Sequence, residues 1–286
     1  MDRELDALHG EYKHRSLDRR EFLKQLAVVA GSAAAAEALL PLLEQHDAEA
    51  QMVPKDDPRL LSEYVKYPVE NGQVRASVAR PKGDIKLPGV VVIHENRGLN
   101  AHIEDVNRRI ALEGFIAMAP DALSLIGGTP EDPEKAPALI NQLDRQATIK
   151  LYVAAVKYLK THPMSTGKVG TVGFCWGGGM ANQLAVHSTD LLTAVPYYGA
   201  VAASEDVPQI KASLLLHYAG LDERINSGIP AFEAALKKAS VDYKIYMYDG
   251  AQHAFNNDMN PARYNKEAAQ LAWQRTIAFL KEKVKT

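Results

Sequence analysis

The stretch Val169-Gly170-Thr171-Val172-Gly173-Phe174-Cys175-Trp176-Gly177-Gly178-Gly179-Met180 decides the fold. An apolar run ends in Gly173-Phe174-Cys175-Trp176-Gly177, and a small-residue segment able to form a helix follows. This is the pattern of a nucleophile elbow, with cysteine where serine usually sits. In such a turn the chain passes from strand to helix so tightly that the nucleophile's own backbone is strained. Side chains two positions before and after it would collide, so both positions want glycine. The sulfur then stands clear at the sheet's edge, and the following N–H groups point at whatever it attacks. A buried cysteine in a glycine-rich turn is the plainer reading of the same residues, because free cysteine is commonly buried. The rest of the chain must discriminate.

Outward from this turn, strands and helices alternate. Residues 88–94 form a continuous apolar run, which suits a strand buried on both faces of a parallel sheet, and the run ends in Glu95-Asn96-Arg97-Gly98. A helix is expected over 103–113, stopped by Gly114, and a strand over 115–120. Residues 121–137 read as a long loop of the kind that is functional or mobile. A helix is expected over 138–161, and the elbow's own helix runs to about His187. Strands follow at 191–197, 213–218 and 242–248, with a helix over 229–239 and a closing helix over 261–283 that opens on proline. Earlier in the chain, alternating runs at 64–69 and 74–79 flank Asn71-Gly72, a strong hairpin signal. These patterns predict an α/β-hydrolase fold: a mostly parallel sheet, an N-terminal antiparallel hairpin, helices on both faces, and ligands at the strands' C-terminal ends.

The 286 residues suit a single large α/β domain behind a separate N-terminal object. With 33 basic and 35 acidic residues the formal charge is −2, which leaves no basic surplus for nucleic acid. A single cysteine cannot form an internal disulfide, and no metal-type Cys/His spacing is present, so no cofactor or metal is expected. Residues 1–50 contain Asp18-Arg19-Arg20-Glu21-Phe22-Leu23-Lys24, a weakly apolar alanine-rich stretch, and Ala48-Glu49-Ala50. That order resembles a twin-arginine export signal with a small-residue cleavage site. Glu37 and the long leader before the arginines depart from the pattern, and an amphipathic helix packed on the body is the alternative. The expectation is export to the periplasm or beyond through that machinery, or a cytoplasmic protein where the signal is not used. Residues 51–62 read as a linker and 63–286 as the hydrolase domain.

Three loops, each after an expected strand, carry chemistry. They hold Cys175, Asp222 and His253, in the order nucleophile, acid, histidine that α/β-hydrolases follow. A thiol with a pKa of about 8.5 needs a base at neutral pH. His253 would take the proton, and Asp222 would orient the imidazole. The helix after Cys175 would further favour thiolate. Asp222 is also suited simply to cap its turn, and His253 to be a solvated loop residue. His94 and His217 sit within strands and His187 ends a helix, so none is placed for this role. Glu95 is either a turn carboxylate paired with Arg97 or a second acid beside Cys175.

The chain resembles the dienelactone hydrolase (carboxymethylenebutenolidase) family through five features. These are the Glu95-Asn96-Arg97-Gly98 turn, the Gly173-Phe174-Cys175-Trp176-Gly177 elbow, Tyr197-Tyr198-Gly199, Gly220-Leu221-Asp222, and His253-Ala254-Phe255. The resemblance spans roughly residues 64–283. It implies a Cys175–His253–Asp222 triad, a Glu95 that contacts the thiol and controls its ionisation, and a small ester or lactone as substrate. The backbone N–H groups of Trp176 and Asn96 would form the oxyanion hole. Tyr198 and Arg97 are weaker candidates for substrate contact.

Two departures stand out. The family holds its substrate's carboxylate with two arginines. After Pro120-Asp121 this chain continues Ala122-Leu123-Ser124-Leu125-Ile126, and four residues after His253 it has Asn257. Neither position is arginine. Arg97 and Arg224 are candidates to replace the clamp, though each could equally pair with a neighbouring acid. Ester or lactone hydrolysis is therefore implied more strongly than dienelactone itself. The missing clamp motivates one alternative, a catalytically silent binding protein on the same fold.

Overall fold

The computed structural model describes residues 19–30 and 53–285. One eight-stranded sheet organises the described residues, in the order β1-β2-β4-β3-β5-β6-β7-β8. The strands are β1 (Leu60–Val69), β2 (Gly72–Pro81), β3 (Leu87–Ile93), β4 (Ile116–Pro120), β5 (Ser165–Phe174), β6 (Leu191–Tyr197), β7 (Ser213–Ala219) and β8 (Tyr243–Tyr248). β1 and β2 pair antiparallel, β2 joins β4 antiparallel, and all other pairings are parallel. The hairpin turns at Glu70-Asn71, with Gly72 already paired to Val69.

The helices are α1 (Arg19–Ala30), α2 (Ala101–Leu112), α3 (Ala136–Ile140), α4 (Arg145–Thr161), α5 (Trp176–His187), α6 (Glu223–Asn226), α7 (Ile229–Lys238) and α8 (Lys266–Leu280). Two apolar layers lie against the sheet. In one, Leu151, Tyr152 and Leu159 of α4, Ala181 and Leu184 of α5, and Phe232 of α7 pack with Val91, Ile93 and Leu214. In the other, Ile103, Val106 and Ile110 of α2 and Ala272 and Ile277 of α8 pack with Val90, Val92 and Val172. All seven residues of β3 are buried, because both faces of a central parallel strand are covered by helices.

Local chemistry sets four boundaries differently from those expected. β1 begins at Leu60, inside the expected linker, since its pairing with β2 continues to Pro81 and Leu60 is buried. Val53 is buried too: its N–H donates to Asp105 Oδ1 at 2.9 Å and its carbonyl accepts from Arg108 Nε at 2.9 Å. The helix expected over 138–161 is two helices, because Asp144 is extended and caps α4 through the Ala147 N–H at 2.7 Å. α3 extends into the expected loop 121–137, where Ala122–Ile126 also forms a 3-10 turn capped by Asp121. The closing helix starts at Lys266 rather than Pro261, because Asn265 is its cap and accepts from the Ala268 N–H at 3.1 Å. Of the segment expected to direct export, only α1 is described, with Phe22 and Leu26 buried and Val28 exposed. The remainder of residues 1–50, including the expected cleavage site, lies outside the described residues.

Candidate active site

The site is built where β5 turns into α5. Cys175 holds φ 55° and ψ −116°, a strained conformation for a residue with a side chain. Its N–H donates to the Tyr197 carbonyl at 3.0 Å. The flanking glycines are required by space. A Cβ on Gly173 would lie 2.1 Å from the Gly177 carbonyl oxygen, and one on Gly177 would lie 2.4 Å from the Ile93 and His94 carbonyl oxygens. The collision expected from the sequence is thus backbone against backbone, which no rotamer change relieves.

Three strand ends bring Cys175, His253 and Asp222 into one line. Cys175 Sγ lies 3.0 Å from His253 Nε2, and His253 Nδ1 lies 2.5 Å from Asp222 Oδ2. Asp222 is buried, and its other oxygen accepts the Ile225 N–H at 3.4 Å. The two roles considered for Asp222 therefore coexist: one oxygen caps α6 and the other holds the imidazole. With Nδ1–H donating to Asp222, Nε2 is the acceptor facing the thiol.

Burial pushes the Cys175 thiol up to about 11, and the negative charge of Glu95 adds to the rise. Hydrogen bonds from the Trp176 and Asn96 N–H groups, together with the Arg224 guanidinium, act the other way and are outweighed. The resting thiol is accordingly protonated at neutral pH. The expected help from the helix terminus is present at the Trp176 N–H, but desolvation wins.

Glu95 does not pair with Arg97. Arg97 bonds Glu134 at 2.5 Å and is not among the residues that line the cavity. The buried Glu95 instead accepts from Asn257 Nδ2 at 2.6 Å through Oε2, while Oε1 is buried without a hydrogen-bond partner. The Tyr198 hydroxyl is also buried, with the Glu95 carboxylate beside it. Burial pushes that phenol well up, and the charges of Glu95 and Cys175 add to the effect. Tyr198 has φ 38° and sets its ring edge-on to His253 at 5.1 Å. His94 is a core residue, as its strand position suggests. Its Nδ1 lies 2.6 Å from the Glu95 carbonyl, its Nε2 accepts the Ala122 N–H at 3.1 Å, and its ring stacks on Trp176.

A cavity of about 640 Å³ opens over the sulfur. Cys175, His253, Asn96, Trp176 and Tyr198 line it, as does Arg224, which makes no ion pair among the described residues. Sequence reasoning missed two residues here. Arg145 reaches the wall from the start of α4, and nothing local in the sequence marks it. In the sequence Asn257 reads only as the absence of an arginine, although its offset from His253 is the signal that it belongs to the site. Among the described residues no cluster of three His, Cys, Asp or Glu side chains is arranged to hold a metal ion.

Comparison with known proteins finds several similarities. The sequence profile described as the dienelactone hydrolase family matches residues 74–284. A protein of Saccharolobus solfataricus, provisionally named a carboxymethylenebutenolidase, is 33% identical over 253 residues, spanning 75% of this chain and 96% of that one. Protein usf of Aquifex pyrophilus is 35% identical over 235 residues, spanning 78% and 99%. Among solved structures, a provisionally named dienelactone hydrolase from Klebsiella pneumoniae superposes with a TM-score of 0.70 at 28% identity. That match covers 77% of this chain and 97% of the other.

Proposed function

The chain belongs to the dienelactone hydrolase family, and from that premise we propose that it hydrolyses an activated carboxylic ester or lactone with Cys175 as nucleophile. The observation that carries this reading is the unbroken line from Sγ to Nε2 and from Nδ1 to the Asp222 carboxylate.

The chemistry follows from that line. His253 Nε2 takes the thiol proton as sulfur attacks the acyl carbon. Asp222 holds the resulting imidazolium through Nδ1–H. The carbonyl oxygen gains negative charge and is met by the N–H groups of Trp176 and Asn96, which at rest point at the sulfur. Collapse breaks the acyl–oxygen bond, and the leaving oxygen takes the proton from His253. A water, deprotonated by the same histidine, then attacks the acyl carbon; the carbon–sulfur bond breaks, and His253 gives the proton to the departing sulfur. Thiolate is itself a good leaving group, so the cycle favours substrates whose alcohol departs easily, such as enol esters and enol lactones. Arg224 lines the cavity within electrostatic reach of the thiol and is a cation placed to meet an acidic substituent.

The reading is tested with 4-nitrophenyl acetate and a lactone panel. Cys175→Ala and His253→Ala are each expected to lower kcat/KM by at least about 10³-fold, the usual scale for losing a nucleophile or its base. Rates equal to wild type in both variants would reject it. A burst of stoichiometric Cys175 acylation without turnover would favour a binding protein instead. Export is a separate proposal, supported by the order of residues 18–50. Mass spectrometry of the exported protein should find Gln51 as its first residue, and an intact Met1 in a cytoplasmic fraction would count against it.

A further inference from the structure

Asn257 lies on the turn after His253 and touches the site only through Glu95. Its side chain is committed at both ends. Oδ1 accepts the Met259 N–H at 3.0 Å, so the amide can present only its Nδ2 donor to Glu95, and it does so at 2.6 Å. The turn itself is rigidly mounted. The Asn257 N–H donates to the Ala254 carbonyl at 3.0 Å, and the Asn257 carbonyl accepts from the Asn260 N–H at 3.0 Å. The next residue, Asp258, is bound to helix α2 by Arg109 at 2.5 Å and by His102 at 3.1 Å. The donor is thus fixed in position and in orientation, and the carboxylate it grips is buried.

We infer that Asn257 positions Glu95, holding its carboxylate beside the Cys175 thiol with a neutral donor that leaves the carboxylate's charge uncancelled. An arginine at this position would also bind the carboxylate, but the pair would then carry no net charge. The amide separates the two effects: it supplies the hydrogen bond without the compensating cation. The thiol then feels the carboxylate's negative charge from one side, and its other charged or titratable neighbours are His253, Tyr198 and Arg224. Around Glu95 the titratable groups are Cys175 and Tyr198. Through this arrangement Asn257 governs when the sulfur ionises without touching the sulfur.

The inference concerns thiol ionisation, so it is tested by iodoacetamide alkylation of the full chain as a function of pH. Cys175 is the only cysteine, so the signal has one source. Failure of the ester-hydrolysis reading would leave this measurement intact. Asn257→Asp keeps the acceptor for the Met259 N–H but sets a second carboxylate against Glu95. It is expected to slow alkylation at pH 8.5 by at least about threefold. Glu95→Gln removes the charge and is expected to speed alkylation about tenfold, one unit of thiol pKa. The exchanged pair, Glu95→Gln with Asn257→Asp, restores the hydrogen bond with the charge moved farther from the sulfur. It should alkylate faster than wild type and slower than Glu95→Gln alone. Asn257→Ala, which frees the carboxylate, should shift the alkylation midpoint by at least about half a pH unit. Wild-type alkylation profiles in both Asn257 variants, with only the melting temperature altered, would overturn the inference. So would an exchanged pair as slow as Asn257→Asp.

Discussion

At the scale of single residues, the Cys175 thiol combines two opposed demands. In the proposed reaction it would have to be unreactive at rest and nucleophilic in contact with substrate. Its elevated value of about 11, against about 9 for an unperturbed thiol, also bears on stability. Between those values the unfolded chain has lost the proton that the folded chain retains, so stability falls as pH rises through that window. Each unit of difference is about 1.4 kcal/mol. The melting temperature should therefore drop more between pH 8 and pH 10.5 in wild type than in Cys175→Ala, as read by calorimetry on both proteins. Asp222 gives a second prediction at this scale. Asn at 222 keeps the oxygen that caps α6 but can offer an N–H to His253, which favours the wrong tautomer. Asp222→Asn should lose about 10³-fold or more in kcat while its melting temperature changes little, on the precedent that a wrongly oriented triad histidine costs about 10⁴. Asn257 was legible only as a departure from a pattern. Its partner, Glu95, lies 162 positions away in the chain, and no local signal pairs them.

At the scale of elements, the strand–helix turn is the most demanding unit. Gly173→Ala forces a Cβ into the Gly177 carbonyl at 2.1 Å, and neither backbone can yield without moving β5 or α5. The variant should fail to accumulate as folded protein, measured by soluble yield and circular dichroism. The helix caps are milder. Asn265→Ala removes the acceptor for the Ala268 N–H and should cost about 1 kcal/mol. For a chain of this size that is about 2–4 °C in Tm, with kcat unchanged. The caps also explain which element boundaries the sequence conceals. Apolar periodicity continues across 138–161, but α3 ends at Ile140 and Asp144 caps the start of α4, which presents Arg145 to the cavity. A periodic pattern reports which residues are apolar, not where an extended residue interrupts the hydrogen-bond ladder.

At the scale of the whole molecule, buried charge ties distant segments to the sheet. Asp105 on α2 is buried, accepts the Val53 N–H, and bonds Arg109, which also binds Asp258; Arg108 bonds the Val53 carbonyl. One carboxylate thus connects the chain's approach to β1 with the turn that carries Asn257. Removing one partner from such a buried cluster typically costs about 3–5 kcal/mol, because the remaining charges stay desolvated. Asp105→Ala should lower Tm by about 10 °C at that cost, and limited proteolysis should find new cleavage near residue 53. If cleavage there is unchanged, the anchor contributes little to the body's stability.

By itself the sequence determined the fold class, the elbow, and the order of Cys175, Asp222 and His253. Each of these depends on short-range rules: two-residue alternation, unbroken apolar runs in covered strands, and glycine where a tight turn admits no Cβ. Tertiary structure alone decided how those pieces meet. It decided that Asp222 serves the cap and the imidazole together, and that Glu95 is held by Asn257 while Arg97 goes to Glu134. It also decided that desolvation outweighs the helix terminus at the thiol. These outcomes depend on which groups compete for one small buried volume. That competition exists only once the parallel sheet has brought its strand ends to the same edge.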